Sequence, residues 1–317
     1  MRKVERNESS GETEKEKGER GKMKEGDLFY RQWKVSNPIG ALYLIHGLGE
    51  HCGRYEHVAR FLNGQGISVY SGDLPGFGRT KGRRGDASSF HELTEAVLNG
   101  WNEMNKETVG IPQFLLGHSM GGLVSLHLLI THGKEVKPDG VILSSPALKS
   151  KVEVSRWKEG LAKLLTPLFP KLTLPSGISP SSVTKDPEVV KKYGKDPYVH
   201  SFLSLRFYQE FNRTMAFVLE KAGDFPAGIP LMIMQAGEDL LVDAEAAKEF
   251  MKKIPHHSLH EYKEWPGLYH EILNEQEKEK VMEEMWKFIE RVMSRKNRAT
   301  IQKNDVGING SFESIQP

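Results

Sequence analysis

Residues 115–122 read Leu115-Leu116-Gly117-His118-Ser119-Met120-Gly121-Gly122, an apolar run that ends in a G-x-S-x-G pentapeptide and continues as a helical pattern. The pentapeptide alone occurs by chance in many chains, so its flanks carry the information. Gly117 and Gly121 bracket Ser119 where a buried strand must turn sharply into a helix. Such a turn strains the serine backbone and requires small residues two positions to either side. It projects the hydroxyl at a helix N-terminus, where free N–H groups and the helix dipole favour negative charge. That is the geometry of a serine that attacks a carbonyl.

Short apolar runs and helical patterns alternate on both sides of this turn. Strands are predicted at Gln32–Val35, Ala41–Ile45, Ile67–Ser71, Phe114–Gly117, Gly140–Ser144, Leu231–Gln235 and Leu259–Lys263. Several are apolar on both faces, as expected of parallel strands covered above and below. Helices are predicted at Tyr55–Asn63, Phe90–Lys106, Gly121–His132, Ala244–Lys252 and Glu275–Met293. The alternation implies right-handed crossovers and an α/β class, a doubly wound, mostly parallel sheet. Ligands of such sheets sit beyond the carboxyl ends of the strands. From Ala147 to Gly228 the alternation stops, no strand pair is evident, and prolines recur at Pro167, Pro170, Pro175, Pro180, Pro187 and Pro197. That stretch reads as an inserted, mainly helical cap over the carboxyl edge.

The division that follows is a core of residues 26–146 and 229–294, with a cap at 147–228. Residues 1–25 and 295–317 are polar and non-periodic, and are expected to be disordered, charged tails. The net charge of +2 gives no electrostatic footprint for nucleic acid. Cys52 is the only cysteine, so no disulfide can form within the chain. The N-terminus lacks the apolar segment of a signal peptide. The longest apolar stretch, Leu123–Ile130, is interrupted by Ser125 and His127 and is too short to span a bilayer. A soluble, cytoplasmic protein is expected, and the sequence leaves its oligomeric state open.

A serine hydroxyl needs a base within hydrogen-bond reach, itself oriented by a carboxylate. Behind such an elbow the chain order is serine, acid, histidine. Leu231–Gln235 runs into Ala236-Gly237-Glu238-Asp239, which places Asp239 just past a strand, with Glu238 its nearest rival. Asp243 stands where the next helix begins and is better explained as an N-cap. Among twelve histidines, His270 follows the last strand and the turn Trp265-Pro266-Gly267. His256, His257 and His260 fall before or within that strand, His118 belongs to the elbow, and His127 and His132 ride on the following helix. No histidine pair has metal-ligand spacing supported by carboxylates, so no metal site is expected. The oxyanion donors expected are the backbone N–H of Met120, after the nucleophile, and of Leu48, in the glycine-bracketed loop His46-Gly47-Leu48-Gly49.

Taken together, His46-Gly47-Leu48-Gly49-Glu50-His51 with Gly53-Arg54-Tyr55, Gly72-Asp73-Leu74-Pro75-Gly76-Phe77-Gly78 and Gly117-His118-Ser119-Met120-Gly121-Gly122 resemble the monoacylglycerol lipase and lysophospholipase group of α/β-hydrolases, which are serine aminopeptidase S33-like. The likeness is greatest to bacterial lysophospholipase-like members of the kind found in Bacillus. Leu143-Ser144-Ser145-Pro146, Gln235-Ala236-Gly237-Glu238-Asp239 and Glu264-Trp265-Pro266 with Tyr269-His270-Glu271 extend it over residues 28–292. The resemblance implies an α/β-hydrolase fold, triad roles for Ser119, Asp239 and His270, and oxyanion roles for Leu48 and Met120. It also implies ester hydrolysis through an acyl-enzyme without a cofactor. Many members carry Gly-His-Gly at Gly76-Phe77-Gly78 and a serine at Thr80, departures that bear on substrate detail.

The expected substrates are esters of single-chain lipids, lysophospholipids or monoacylglycerols. The alternatives are a general short-chain carboxylesterase and, from another class, a non-catalytic binding protein on the same fold. Within the cap, Trp157, Leu161, Leu164, Leu165 and Leu168 recur at helical spacing, fringed by Lys158, Lys163 and Lys171. The simplest role of that face is packing on the core. Its second role is a lid that lines an acyl tunnel and touches membranes transiently, leaving the protein peripheral at the surface. The loop Arg79-Thr80-Lys81-Gly82-Arg83-Arg84-Gly85 concentrates four positive charges, either as a solvated turn or as an attraction for lipid phosphate.

Overall fold

The computed structural model describes the backbone of residues 28–152 and 156–309, and the side chains of all of these except 156–159 and 299–309. The tail expected at 1–25 and the side chains of Trp157 and Lys158 lie outside the described residues.

Along the chain, β1 (Tyr30–Trp33) and β2 (Gly40–Ile45) precede α1 (Glu56–Gly64), β3 (Ile67–Gly72), α2 (Phe90–Glu107), β4 (Gln113–His118), α3 (Met120–His132) and β5 (Gly140–Ser144). Then come α4 (Arg156–Leu165), β6 (Thr173–Pro175), α5 (Pro180–Val183), α6 (Pro187–Lys195), β7 (Phe202–Ser204) and α7 (Leu205–Glu220). The chain returns through β8 (Leu231–Ala236), α8 (Ala244–Lys253), β9 (His260–Trp265) and α9 (Lys278–Asn309).

One seven-stranded sheet has the order β1-β3-β2-β4-β5-β8-β9. β1 pairs antiparallel with β3, and every other neighbouring pair is parallel. From β3 to β8 the sheet strands are buried at every residue, which is why their sequences read as unbroken apolar runs. β9 forms the far edge and is only half-buried, so its sequence His260-Glu261-Tyr262-Lys263-Glu264-Trp265 is polar. Apolar cores lie on both faces. Trp101, Leu123 and Phe250 anchor one beneath α2, α3 and α8, and Leu62, Phe114 and Phe288 anchor the other beneath α1 and α9. No helix among the described residues is long and apolar enough to cross a membrane.

The inserted stretch differs from its sequence reading in one way: β6 and β7 pair antiparallel, Thr173 opposite Ser204 and Pro175 opposite Phe202. Three-residue strands are too short to show an alternating pattern, and Pro175 masks one of them. The end of the stretch packs on the core, with Phe207, Met215 and Val218 of α7 buried beside Leu123. Beyond it, the stretch from residue 295, read as a tail, continues α9 as far as Asn309. Its apolar period stops near Met293, but no glycine or proline interrupts residues 295–306. Polar contacts hold its start instead: Lys296 pairs with Asp139 at 2.7 Å and Arg295 donates to Ser258.

The tightest crossing in the sheet positions the site. A Cβ on Gly121 would be driven into the Ile45 carbonyl, and one on Gly117 would meet the Gly121 carbonyl and Ser125 Oγ at 2.5 Å. Backbone atoms cannot move aside as a flexible side chain can. Gly121→Ala is therefore expected to lower stability by about 3 kcal/mol, read as the loss of urea midpoint at unchanged m-value. An unaltered midpoint would show that α3 can withdraw from β2.

Candidate active site

Ser119 stands at the N-cap of α3 with φ 52° and ψ −116°, a left-handed conformation that costs a non-glycine residue on the order of 1–3 kcal/mol. Two backbone hydrogen bonds hold it there. Ser119 N donates to Ser144 O of the neighbouring strand at 2.9 Å, and Ala147 N donates to Ser119 O at 3.0 Å. The hydroxyl makes no capping bond to its own helix and turns toward His270.

The structure brings Ser119, Asp239 and His270 together from the ends of β4, β8 and β9. His270 Nε2 lies 2.8 Å from Ser119 Oγ, and His270 Nδ1 lies 2.8 Å from Asp239 Oδ2. Asp239 Oδ1 accepts from Leu241 N at 2.9 Å and Val242 N at 3.0 Å, so the carboxylate is fixed before it meets the imidazole. Burial would raise its pKa, but the His270 charge and these bonds hold it below the ordinary carboxylate range. An ionised Asp239 keeps the proton on Nδ1 and leaves Nε2 free to accept from the serine. Burial alone would lower the His270 pKa; the charge and hydrogen bond of Asp239, with help from Glu271 and Glu50, raise it above its ordinary 6.5. Ser119 is only 7% exposed, so water reaches the pair sparingly.

The competing residues are engaged elsewhere. Glu238 is exposed and pairs with Lys185 at 2.8 Å, while Asp243 caps α8 through Glu245 N. His118 stacks obliquely 4.9 Å from His270, and burial, reinforced by His270, holds its pKa down at about 4. It therefore stays neutral, with Nδ1 3.1 Å from Ser144 Oγ. His127 packs on Phe90 and bonds Thr94, and His260 bonds the Ile229 carbonyl. Among the described residues no group of three or more His, Cys, Asp or Glu is arranged to hold a metal.

The loop after β2 has its peptide planes fixed from both sides. Leu74 N donates to His46 Nε2 at 2.9 Å, so the imidazole proton sits on Nδ1 and is donated to Gly47 O at 2.8 Å. In a trans peptide the N–H opposes the C=O, so Leu48 N–H points away from the His46 ring. Gly47 N is held by Glu50 Oε1 at 2.6 Å. The inserted stretch closes on this loop: His200 N donates to Gly49 O at 2.9 Å, and Phe77 stacks on the His200 ring at 5.3 Å. Met120 opens α3, where the first N–H groups have no partner within the helix.

Four similarities accompany this geometry. A family model described as serine aminopeptidase, S33, matches residues 36–277. Phospholipase YtpA of Bacillus subtilis (strain 168) is 35% identical over 249 residues, covering 78% of this chain and 94% of that protein. Monoglyceride lipase of Mus musculus is 34% identical over 229 residues, covering 71% and 74%. Among solved structures, a monoacylglycerol lipase from Paleococcus ferrophilus superposes with a TM-score of 0.73 at 29% identity, covering 84% of this chain and 98% of that one.

A buried ion cluster behind His270 escaped the sequence reading. The Arg54 guanidinium bonds both oxygens of Glu271 at 2.6 Å and Glu50 Oε2 at 2.5 Å, and lies 4.6 Å over the Tyr193 ring. Glu50 also accepts from Tyr55 Oη at 2.6 Å. One cation thus ties the loop after β2 to the loop that carries His270. Its members appeared in sequence only as parts of motifs, and nothing in their spacing joins residue 54 to 271. Arg54→Ala leaves two buried carboxylates uncompensated and is expected to cost about 3–5 kcal/mol. Arg54→Lys should recover only part, since an ammonium cannot reproduce the fork. Urea unfolding of the three proteins measures this, and equal stabilities would mean that water enters to solvate the carboxylates.

Proposed function

The chain belongs to the serine aminopeptidase S33 family of α/β-hydrolases, and we propose that Ser119, His270 and Asp239 are its nucleophile, base and orienting acid. The protein is a carboxylic ester hydrolase acting on single-chain lipid esters, the substrate type named by its monoglyceride lipase relatives. The observation that carries the triad assignment is His270 lying 2.8 Å from both its partners.

Ser119 Oγ attacks the ester carbonyl as its proton passes to His270 Nε2. The Leu48 and Met120 amides donate to the oxyanion, an interaction worth on the order of 3 kcal/mol per donor in comparable sites. Collapse breaks the carbonyl–alcohol bond, and His270 returns the proton to the departing glyceryl oxygen. Water then attacks the acyl-serine carbonyl and gives its proton to His270; collapse breaks the acyl–Oγ bond, His270 returns the proton to Ser119 Oγ, and the fatty acid is released. Every proton and electron pair moves among substrate, water and these side chains.

The base must be neutral, so activity falls as pH drops through the His270 pKa. Since Asp239 holds that pKa above 6.5, the acid limb of kcat/KM for a p-nitrophenyl ester is expected to have its midpoint above 6.5. Asp239→Asn should lower kcat by about 10⁴-fold and move the limb to lower pH. Ser119→Ala should abolish labelling by a fluorophosphonate. Persistent labelling would remove Ser119 as nucleophile, and a steep preference for short p-nitrophenyl esters over monoacylglycerols would favour a general carboxylesterase.

A membrane-facing surface accompanies this reading. Leu164 and Leu168 are 71% and 72% exposed, with Leu161, Phe169 and Leu172 beside them. These side chains lie next to Lys163, Lys171 and Arg83, the last bonded to Lys171 O at 2.9 Å. Apolar anchors fringed by cations suit an anionic lipid surface. The pair Leu164→Asp and Leu168→Asp is expected to reduce co-sedimentation with phosphatidylglycerol vesicles by more than about tenfold. Undiminished binding would exclude this face.

A further inference from the structure

Four cations gather around one cavity outside the triad. Arg79 from the loop after β3 and Lys191, Lys192 and Lys195 from α6 line a surface cavity of about 510 Å³. Among the described residues none of the four forms an ion pair within 4.0 Å. Elsewhere Lys185 pairs with Glu238 and Arg206 with Asp86, and Arg84 lies 5.8 Å over the same Tyr198 ring. Two carboxylates also line the cavity, Glu188 and Asp196, but Asp196 is already engaged by His51 Nε2 and Tyr198 N, both at 2.9 Å. The cavity thus has an excess of positive charge.

Arg79 is pre-positioned rather than waving. Its backbone N–H is fixed to Asp73 Oδ2 at 2.7 Å, and its guanidinium lies 4.4 Å over the Tyr198 ring and 5.0 Å over Phe29. Stacking holds the fork in place without consuming its N–H donors. Lys192 and Lys195 occupy the last turn of α6, where they also complement the helix dipole. That accounts for two cations but not for Arg79 or Lys191, nor for a cavity large enough for a phosphate ester.

We propose that this cavity is a phosphate-binding site, taking either the headgroup of a lysophospholipid or a soluble phosphate ester. A phosphate brings up to two negative charges and several acceptor oxygens, which suits an arginine fork among lysines. The site adjoins the catalytic edge: His51 in its wall follows Leu48 by three residues, a span of at most about 11 Å along the chain. A phosphate held there can belong to the same glyceryl ester whose carbonyl meets Ser119. The lipid half of this inference rests on the ester-hydrolase reading; the binding half does not. It also places the phosphate attraction expected of loop 79–85 at Arg79, the residue of that loop that lines the cavity.

The test begins with calorimetric titration of the whole protein with sn-glycerol 3-phosphate, with glycerol as the uncharged control. Wild type should bind the phosphate and not glycerol. Lys191→Ala with Lys195→Ala should weaken binding about tenfold, while the charge-matched pair Lys137→Ala with Lys252→Ala should stay near wild type. No binding by wild type, or equal weakening by the two pairs, overturns the site. In the second arm, kcat/KM is compared for lysophosphatidylglycerol and monoacylglycerol below their micellar concentrations. A fall in that ratio in the Lys191/Lys195 variant identifies the headgroup as ligand, and an unchanged ratio with lost glycerol phosphate binding assigns the site to soluble phosphate esters. Failure of wild type to hydrolyse either lipid would overturn the ester-hydrolase reading and leave the titration standing.

Discussion

A serine held at φ 52° between two strand ends is the constraint around which the carboxyl edge of this sheet is built. The conformation is unfavourable, so it persists only because the neighbouring structure over-determines it. β5 supplies the acceptor for Ser119 N, the chain beyond β5 supplies a donor for Ser119 O, and β2 presses its last carbonyl against Gly121. Ser145, at the end of β5, is itself held at φ 42° and tied to Met234 of β8. The strain at Ser119 is therefore distributed over three parallel strands. That is a reason for such an edge to be rigid: relaxing one residue would require shifting the register of the sheet.

Electrostatics adds a second layer to the same edge. An imidazole buried as deeply as His270 would ordinarily lose its proton affinity, which would make it a poor acceptor from a serine. Three carboxylates, Asp239, Glu271 and Glu50, reverse that tendency. Placing three buried carboxylates together is itself costly, and Arg54 offsets two of them with a bidentate contact to Glu271 and a single one to Glu50. The same Glu50 fixes Gly47 N, so the loop carrying His270 and the loop after β2 share one buried cation. His118, beside His270, stays neutral and adds no opposing charge. The geometry of the loop and the basicity of the histidine are thus two consequences of one cluster.

What could be read from sequence follows from how each feature is encoded. The central strands are legible because burial on both faces demands continuous apolar runs, as in Leu231–Ala236. Ser119, Asp239 and His270 could be nominated because each follows a strand, and strand ends are where this class of sheet places ligand-binding groups. The Arg54–Glu271 contact had no such code, since two charged residues far apart in sequence carry no periodic signal. The β6–β7 pair was hidden by its length, and α9 outran its apolar pattern because polar contacts from Lys296 and Arg295 replace burial. The tautomer of His46 is likewise set by a single long-range donor, Leu74 N, which sequence cannot supply.

The inserted stretch divides along a physical line that its boundaries in sequence do not show. Its last helix, α7, is bound to the core through Phe207, Met215 and Val218, and β7 leads directly into it. α4 leaves Leu164 exposed, as is Leu168 beyond it, and among the described residues three lysines of α6 have no carboxylate partner within 4.0 Å. Apolar and cationic surfaces exposed together are poorly explained by stability, because either would be more favourable if covered or paired. They are what a protein needs when its ligand has an acyl chain at one end and a charged group at the other. Between them runs loop 79–85, with Arg79 facing the lysines and Arg83 bonded beside the apolar face. The triad proposed above would, by contrast, touch only the ester that all acylglycerols share. On the proposed reading, selection among those lipids belongs to this loop and to the insertion, which docks on Gly49 and Gly76.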